Sequence, residues 1–316
     1  MDGFERPGSA QREDSLVRLG EILREADYRF VTVTPESHRR VNARPNGPAR
    51  CLRDVFGWNR RFEAATVGPA ILSLLQAAGA VTEQDGAYLS KIRFSTFRDL
   101  IFVHSAYPTI AADSVFFGPD TYRFLTALER GIAVEAQHAR RIVDIGTGSG
   151  AAGILLARAL PAAAVILADI SEQALRYARV NAVLNGAANT DARRSDVLAA
   201  LPGQFDLIVA NPPYLVDPQG RLYRDGGGAL GYDLSLRILE ESLDRLAPGG
   251  TLLLYTGSAI VDGVDRFGAL AQAAVHRRGL RAAYAELDPD VFGEELEGGA
   301  YGAADRIAAV TLTVRA

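Results

Sequence analysis

The segment that most restricts how this chain can fold is Val143-Asp144-Ile145-Gly146-Thr147-Gly148-Ser149-Gly150. A short apolar run ends in three glycines separated by single residues and passes into an Ala- and Leu-rich stretch, so a buried strand must turn sharply into a helix. A strand followed by a helix in this way belongs to a βαβ unit, whose parallel sheet is covered on both faces. The alternation continues. Strands are expected at Arg141 to Ile145, Ala164 to Ile170, Thr190 to Asp196, Phe205 to Ala210 and Gly250 to Tyr255. Helices are expected at Ser149 to Leu160, Ser171 to Leu184, Asp233 to Leu246 and Val264 to Arg278. Ser171 suits an N-cap, with Glu172 in the first turn. Arg281 to Leu287 and Arg306 to Val314 are two more strands with no helix between them, so they should pair antiparallel. The expected class is α/β, a doubly wound, mostly parallel, seven-stranded Rossmann-like sheet with an antiparallel C-terminal strand.

Upstream the pattern differs. The polar stretch of residues 1 to 13 precedes Asp14-Ser15 and a helical spacing at Leu16, Leu19, Ile22 and Leu23. Thr34-Pro35 and the run Asn42 to Pro48 read as interruptions, Gly68-Pro69 opens a second helix ending near Gly79, and Ala87 to Phe94 with Asp99 to Ser105 read as a hairpin. This suggests a small α+β or winged-helix-like domain over residues 1–110 for substrate recognition, with the larger domain at 111–316.

Composition excludes several classes. No apolar run approaches the roughly 20 residues that span a bilayer, and Met1 to Pro7 lack the apolar core of a secretory signal, so a cytoplasmic protein is expected. Cys51 is the only cysteine, and His38, His104, His138 and His276 show no ligand spacing, so no metal is expected. The net charge of −4 argues against indiscriminate binding to a nucleic-acid backbone. Seven arginines between residues 39 and 61 face one acid, Asp54; an arginine-rich composition in which Lys91 is the only lysine explains them better than a polyanion-facing patch, which stays the minority reading.

The glycine turn lets a ligand approach the backbone of Gly146, Thr147, Gly148 and Gly150 closely. Asp144 can meet the amino-acid end of a cationic cofactor, and Asp169, with Ile170 behind it, can accept from ribose hydroxyls. Taken alone the turn also satisfies a dinucleotide pattern, since Ala151 completes GxGxxA and an acid follows roughly 20 residues later. Three features favour S-adenosylmethionine over NAD. Asp144 would oppose a pyrophosphate, Ser195-Asp196-Val197 offers an acceptor for an adenine amino group, and the fourth strand ends in Asn211-Pro212-Pro213-Tyr214.

An asparagine at the C-terminal end of a parallel strand lies in the crevice where such sheets hold ligands. The two prolines stiffen the turn, so the Asn211 side-chain oxygen and the Pro212 carbonyl can face one point and accept both N–H groups of an amide or exocyclic amine. That would aim the nitrogen lone pair at the methyl group, with Tyr214 offering a flat face to the planar group.

With these residues the chain resembles the NPPY group of class I methyltransferases, especially the HemK-type release-factor glutamine methyltransferases and the related small methyltransferase domains, over about residues 115–258. The resemblance implies that Pro119, Asp120 and Thr121, standing where the family has Pro-Glu-Thr, line the substrate site with Pro213. The family's Arg before this proline is Gly118 here, its Glu after the Thr is Tyr122, and its Glu-x-Gly after strand five reads Tyr255-Thr256-Gly257. Arg224 to Gly231 resembles the glycine-rich loop that follows NPPY in those enzymes. The expected reaction is N-methylation of a planar nitrogen, in a protein glutamine or a nucleobase. A small-molecule N-methyltransferase is the alternative, and an NAD-linked oxidoreductase a distant one.

Overall fold

The computed structural model describes residues 8–45, 47–135 and 137–316. Its N-terminal part comprises helices α1 (Ser9–Glu25), α2 (Pro35–Asn42), α3 (Leu52–Phe56) and α4 (Ala64–Ala77), then strands β1 (Val81–Gln84), β2 (Ala87–Ser90), β3 (Ile92–Phe97) and β4 (Leu100–Ser105). Helix α1 buries Leu16, Leu19 and Leu23 as their spacing requires, and it begins at Ser9, ahead of the expected start at Asp14. Residues 1–7 of the polar stretch lie outside the described residues. Thr34-Pro35 starts a helix where an interruption was expected. Thr34 Oγ1 accepts from the Ser37 N–H at 3.2 Å, and Pro35 takes the first helical position, where its missing N–H would have no partner anyway.

Strands β3 and β4 form a hairpin, as expected, but it turns at Arg98-Asp99 because Ser95 to Phe97 still pair with β4, and the expected strand Ala87 to Phe94 is divided between β2 and β3. A second hairpin, β1–β2, turns at Asp85-Gly86, both with positive φ. Its first strand is short and largely exposed, so it leaves no alternation to read.

Helix α5 (Pro119–Glu135) leads to the main sheet. There follow β5 (Arg141–Ile145), α6 (Ala151–Ala159), β6 (Ala164–Asp169), α7 (Glu172–Leu184), β7 (Thr190–Arg194), β8 (Phe205–Ala210), α8 (Asp233–Leu243), β9 (Leu246–Val261), β10 (Val264–Asp265), α9 (Arg266–Arg277), β11 (Arg281–Asp288) and β12 (Arg306–Arg315). The strand order is β11-β12-β9-β8-β5-β6-β7, with β10 pairing β9 off this path. Strands β7, β6, β5, β8 and β9 are mutually parallel, while β12 runs antiparallel between β9 and β11. The doubly wound sheet with an antiparallel C-terminal strand is therefore present. Strand β9 runs past the expected end at Tyr255: Thr256 suits a strand, and Gly257 and Ser258 are held in it by pairing with Ala309 and Ala308 of β12. No helix among the described residues is long and apolar enough to cross a membrane.

The hairpin strand β4 joins the sheet layer through two asparagines of α7. Asn181 is fully buried; its Oδ1 accepts from Val103 N–H at 2.8 Å and its Nδ2 donates to the Val103 carbonyl at 2.9 Å. Asn185 repeats the pair on Ile101, at 3.0 and 2.8 Å. The two side chains thus serve the strand edge as a neighbouring strand would, removing unpaired backbone groups from a buried seam. Asn181→Ala should cost about 2–4 kcal/mol, because it strands two buried backbone groups of β4. Urea unfolding checks this, and a loss below about 0.5 kcal/mol, the usual range of a surface substitution, would refute the account of the seam.

Candidate functional site

The parallel strands end on one side of the sheet, and there a cavity of about 280 Å³ opens. It is lined by Asp144, Gly146, Thr147 and Gly148 after β5, Asp169 and Ile170 after β6, Ser195, Asp196 and Val197 after β7, and Asn211, Pro212, Pro213 and Tyr214 after β8. Asp120 and Thr121 of α5 also line it, whereas Pro119 and Gly150 do not. Gly150 acts on the turn itself: with φ +82° it caps α6, and a Cβ there would approach Ile154 and Ala178 of the neighbouring helices. Apart from these two, one cavity gathers the site residues that the sequence suggested.

The glycine turn is fixed from both sides by carboxylates. Asp144 Oδ2 accepts from Thr147 Oγ1 at 2.6 Å and from Gly153 N–H at 2.9 Å, and its Oδ1 has no hydrogen-bond partner among the described residues. Asp169 bridges the turn to the next helix, accepting from Gly148 N–H through Oδ2 and from Ser171 N–H through Oδ1, both at 2.9 Å. Gly146 and Gly148 have φ of +65° and +54°, which only glycine adopts without penalty, and a Cβ on Gly146 would meet nothing within 4 Å, so its backbone faces open space. Val197, β-branched yet at φ +49°, is a strained residue on the same wall.

Two acceptors expected for an adenine amino group are already engaged. Arg237 grips Asp196 through both oxygens at 3.0 and 2.9 Å on the exposed rim, and Ser195 Oγ accepts from Ala200 N–H at 3.2 Å. The long guanidinium reaches across from α8, a tertiary contact that leaves no mark in the local sequence.

Burial pushes the Asp144 carboxyl up to about 7, against the hydrogen bonds from Thr147 and Gly153, which act to lower it. Burial raises Asp169 too, opposed by its backbone hydrogen bonds. With a folded pKa above the unfolded one, the folded chain keeps a proton that the unfolded chain releases, so stability falls as pH rises from about 4 to about 7. Asp144→Asn should remove much of this slope, worth a few kcal/mol at about 1.4 kcal/mol per unit. Melting curves across that window measure it, and equal slopes in the two chains would contradict the assignment.

At the other end, Asn211 is half-buried and its side-chain amide makes no hydrogen bond to any described residue, nor does the Pro212 carbonyl. Tyr214 lines the cavity but is only 7% exposed, its ring set against Tyr255 at 6.4 Å and Phe292 at 5.9 Å. Most of the flat face expected of Tyr214 is therefore covered by its neighbours, and the hydroxyl is buried without a partner. Gly257 makes this possible, since a Cβ there would collide with the Tyr214 ring.

The departures noted in the sequence have structural counterparts. A side chain at Gly118 would strike the Phe116 ring, which stacks on Tyr223 at 6.0 Å over the cavity mouth. Tyr122 accepts from Thr32 N–H at 3.0 Å, tying α5 to the N-terminal part. Tyr255 donates to Asp120 Oδ1 at 2.6 Å, and Arg123 joins that oxygen at 3.1 Å. Phe116, Tyr223, Tyr255 and Phe292 were not singled out as site residues; only the aromatic content of the segments hinted at them. The loop after Tyr214 closes the mouth through Tyr223 Oη, which donates to the Thr109 carbonyl at 2.6 Å, and through an Arg224–Glu295 ion pair.

Residues 125–260 match the family model described as Methyltransferase small domain. The sheet order and the glycine turn are those of a class I methyltransferase domain, and the family match falls on the segment that carries them. Within that class the chain is similar to the HemK type: the release factor glutamine methyltransferase of Bradyrhizobium diazoefficiens is 36% identical over 176 residues, 50% of this chain and 58% of that one. The enzyme of the same name from Deinococcus radiodurans is 40% identical over 124 residues, 36% of this chain and 44% of that one. The chain spans about half the length of the curated relatives it matches. Among solved structures, Trm5b from Pyrococcus abyssi aligns over 90% of this chain and 78% of that one, with a TM-score of 0.51 and 15% identity, a likeness of fold alone.

Proposed function

We propose that this chain transfers a methyl group from S-adenosylmethionine to a planar nitrogen, and that the nitrogen is a glutamine side-chain amide of a protein. The observation that carries the reading is Asn211: a half-buried amide with no hydrogen-bond partner among the described residues, at the end of β8, in the cavity that the glycine turn also lines. The residues suit the donor. The unpaired Asp144 Oδ1 can take an ammonium group, and the open backbone at Gly146 admits the chain of the ligand that carries it. Bound there, S-adenosylmethionine supplies an electrophilic methyl on a sulfonium sulfur.

The remaining work falls to the protein. Asn211 Oδ1 and the Pro212 carbonyl accept the two N–H groups of the acceptor amide, which removes its freedom to rotate and turns the nitrogen lone pair toward the methyl. Both acceptors gain strength as positive charge develops on the nitrogen, which makes their contribution larger in the transition state than in the ground state; with S-adenosylhomocysteine as the leaving group, the methylated nitrogen then gives up one of its two N–H protons along these hydrogen bonds to solvent as the product departs. The stacked rings of Phe116 and Tyr223 on the cavity lining would limit the access of water to this point. Residues 1–110 serve acceptor recognition, since Pro35, Tyr107 and Thr109 stand on the cavity wall.

The glutamine acceptor is supported by the name its sequence relatives carry. Methyl-labelled S-adenosylmethionine, incubated with the chain and fractionated cell extract, tests the reading. Label should enter protein; label confined to tRNA, rRNA, DNA or small molecules would overturn the acceptor, and titration that shows NAD bound in preference to S-adenosylhomocysteine would overturn the donor.

A further inference from the structure

Arg93 on β3 is 4% exposed, yet its Nε and Nη2 are buried without a hydrogen-bond partner, and no carboxylate among the described residues pairs with it. A buried arginine is ordinarily paired, because desolvating a guanidinium without compensation is costly. The partial compensation here is the Phe30 ring, 5.3 Å from the guanidinium carbon. The surrounding polar groups bond elsewhere. Tyr28 Oη donates to the Phe94 carbonyl at 2.9 Å, both ring nitrogens of His104 are taken, by Ser95 and the Ser105 carbonyl, and His38 Nε2 meets the Trp58 carbonyl at 3.0 Å.

The identity of the two unfilled nitrogens is informative. Nε and Nη2 form the side of the guanidinium fork that this same chain uses to hold two carboxylate oxygens: Arg39 on Glu36, at 2.8 and 2.7 Å, and Arg221 on Asp217, at 2.8 and 2.6 Å. Arg176 leaves the same pair of nitrogens buried and unfilled, but the residue as a whole is only half-buried. Arg93 differs in that the whole residue is enclosed, with the Phe30 ring beside its guanidinium. His38 stacks at 4.6 Å on Tyr107, and Tyr107 lines the methyltransferase cavity, so the enclave adjoins the wall of the site.

We propose that Arg93 is the anchor of a binding site for a small organic carboxylate, whose two oxygens accept from Nε and Nη2 while its apolar body rests against Phe30 and Trp58. The fork fits a carboxylate and a phosphate alike; the aromatic neighbours, which favour a flat apolar body, select an aromatic carboxylate. The site does not depend on the acceptor assigned above, and its test needs no methyl transfer.

Isothermal titration of the full chain with acetate, benzoate and inorganic phosphate provides that test. Saturable binding of benzoate is expected, tighter than that of acetate or phosphate. Arg93→Lys, which keeps the charge and loses the fork, should weaken it about tenfold or more. Arg93→Met should abolish it, and should melt above the native chain when no carboxylate is present, because it removes an uncompensated buried charge. Arg176→Met should leave the affinity unchanged. Absence of saturable carboxylate binding, binding retained in Arg93→Met or unweakened in Arg93→Lys, phosphate bound more tightly than benzoate, or loss of binding in Arg176→Met would each overturn the site. Should Arg93→Met fail to fold, Arg93→Lys and the shift of the Arg93 Nε–H resonance on adding benzoate decide the question.

Discussion

Replacing Asn211 by alanine is expected to lower methyl transfer by about 10²–10³-fold, the usual cost of removing one preorganised polar group from a developing charge, while S-adenosylhomocysteine affinity changes little. The reason lies in what Asn211 does not do. Its amide bonds to no described residue, so its loss leaves no buried partner stranded and should cost the fold little. Its loss removes only an acceptor aimed into the cavity. Single-turnover rates with labelled donor, alongside titration of S-adenosylhomocysteine, separate the two effects. An alanine variant with native rates would remove Asn211 from the mechanism; one that fails to bind the cofactor would make it a cofactor residue instead.

Gly226→Ala is expected to reduce methyl transfer by about tenfold or more through the shape of the acceptor end, and to cost about 1–3 kcal/mol of stability by overpacking. Gly226 N–H donates to the Leu215 carbonyl at 2.7 Å, which presses the glycine-rich loop against the turn after Tyr214. A Cβ at this position would lie 2.7 Å from both the Pro213 carbonyl oxygen and Tyr214 Cα, and would collide with the Gly231 carbonyl. All of these obstacles are backbone, so no side chain can swing aside to make room. The turn that carries Asn211 and Pro212 must shift, and small displacements of acceptors are expensive in rate. An alanine variant with native rate and melting temperature would show that the loop does not shape the site.

The sequence exposed the parts of this molecule that local rules govern. Strand β5, the glycine turn and α6 follow from apolar run, glycine spacing and helix pattern, and Ser171 caps α7 as its hydroxyl allows, accepting from Ala174 N–H at 3.2 Å. What local rules do not govern was hidden. The grip of Arg237 on Asp196 spans 41 residues, and the support of β4 by Asn181 spans 78. Gly257 lies in a strand because β12 pairs with it, against its own preference. Thr34-Pro35 was misread because proline ends a helix from inside and starts one from its first position, and the cap that decides between them depends on the chain that follows. At the site, the residues of the motifs were found, but the aromatic mouth and the covering of the Tyr214 ring depend on packing between distant segments.

The central claim is that Asn211 and Pro212 present an acceptor amide to a methyl donor held over the glycine turn. The direct measurement is to incubate the chain with S-adenosylmethionine and a bacterial release factor and to locate the product by peptide mass spectrometry. One methyl group is expected on a glutamine side-chain nitrogen, absent when Asn211→Ala replaces the native chain. An unmodified release factor, with methyl groups instead on a carboxylate or on nucleic acid added alongside, would contradict it.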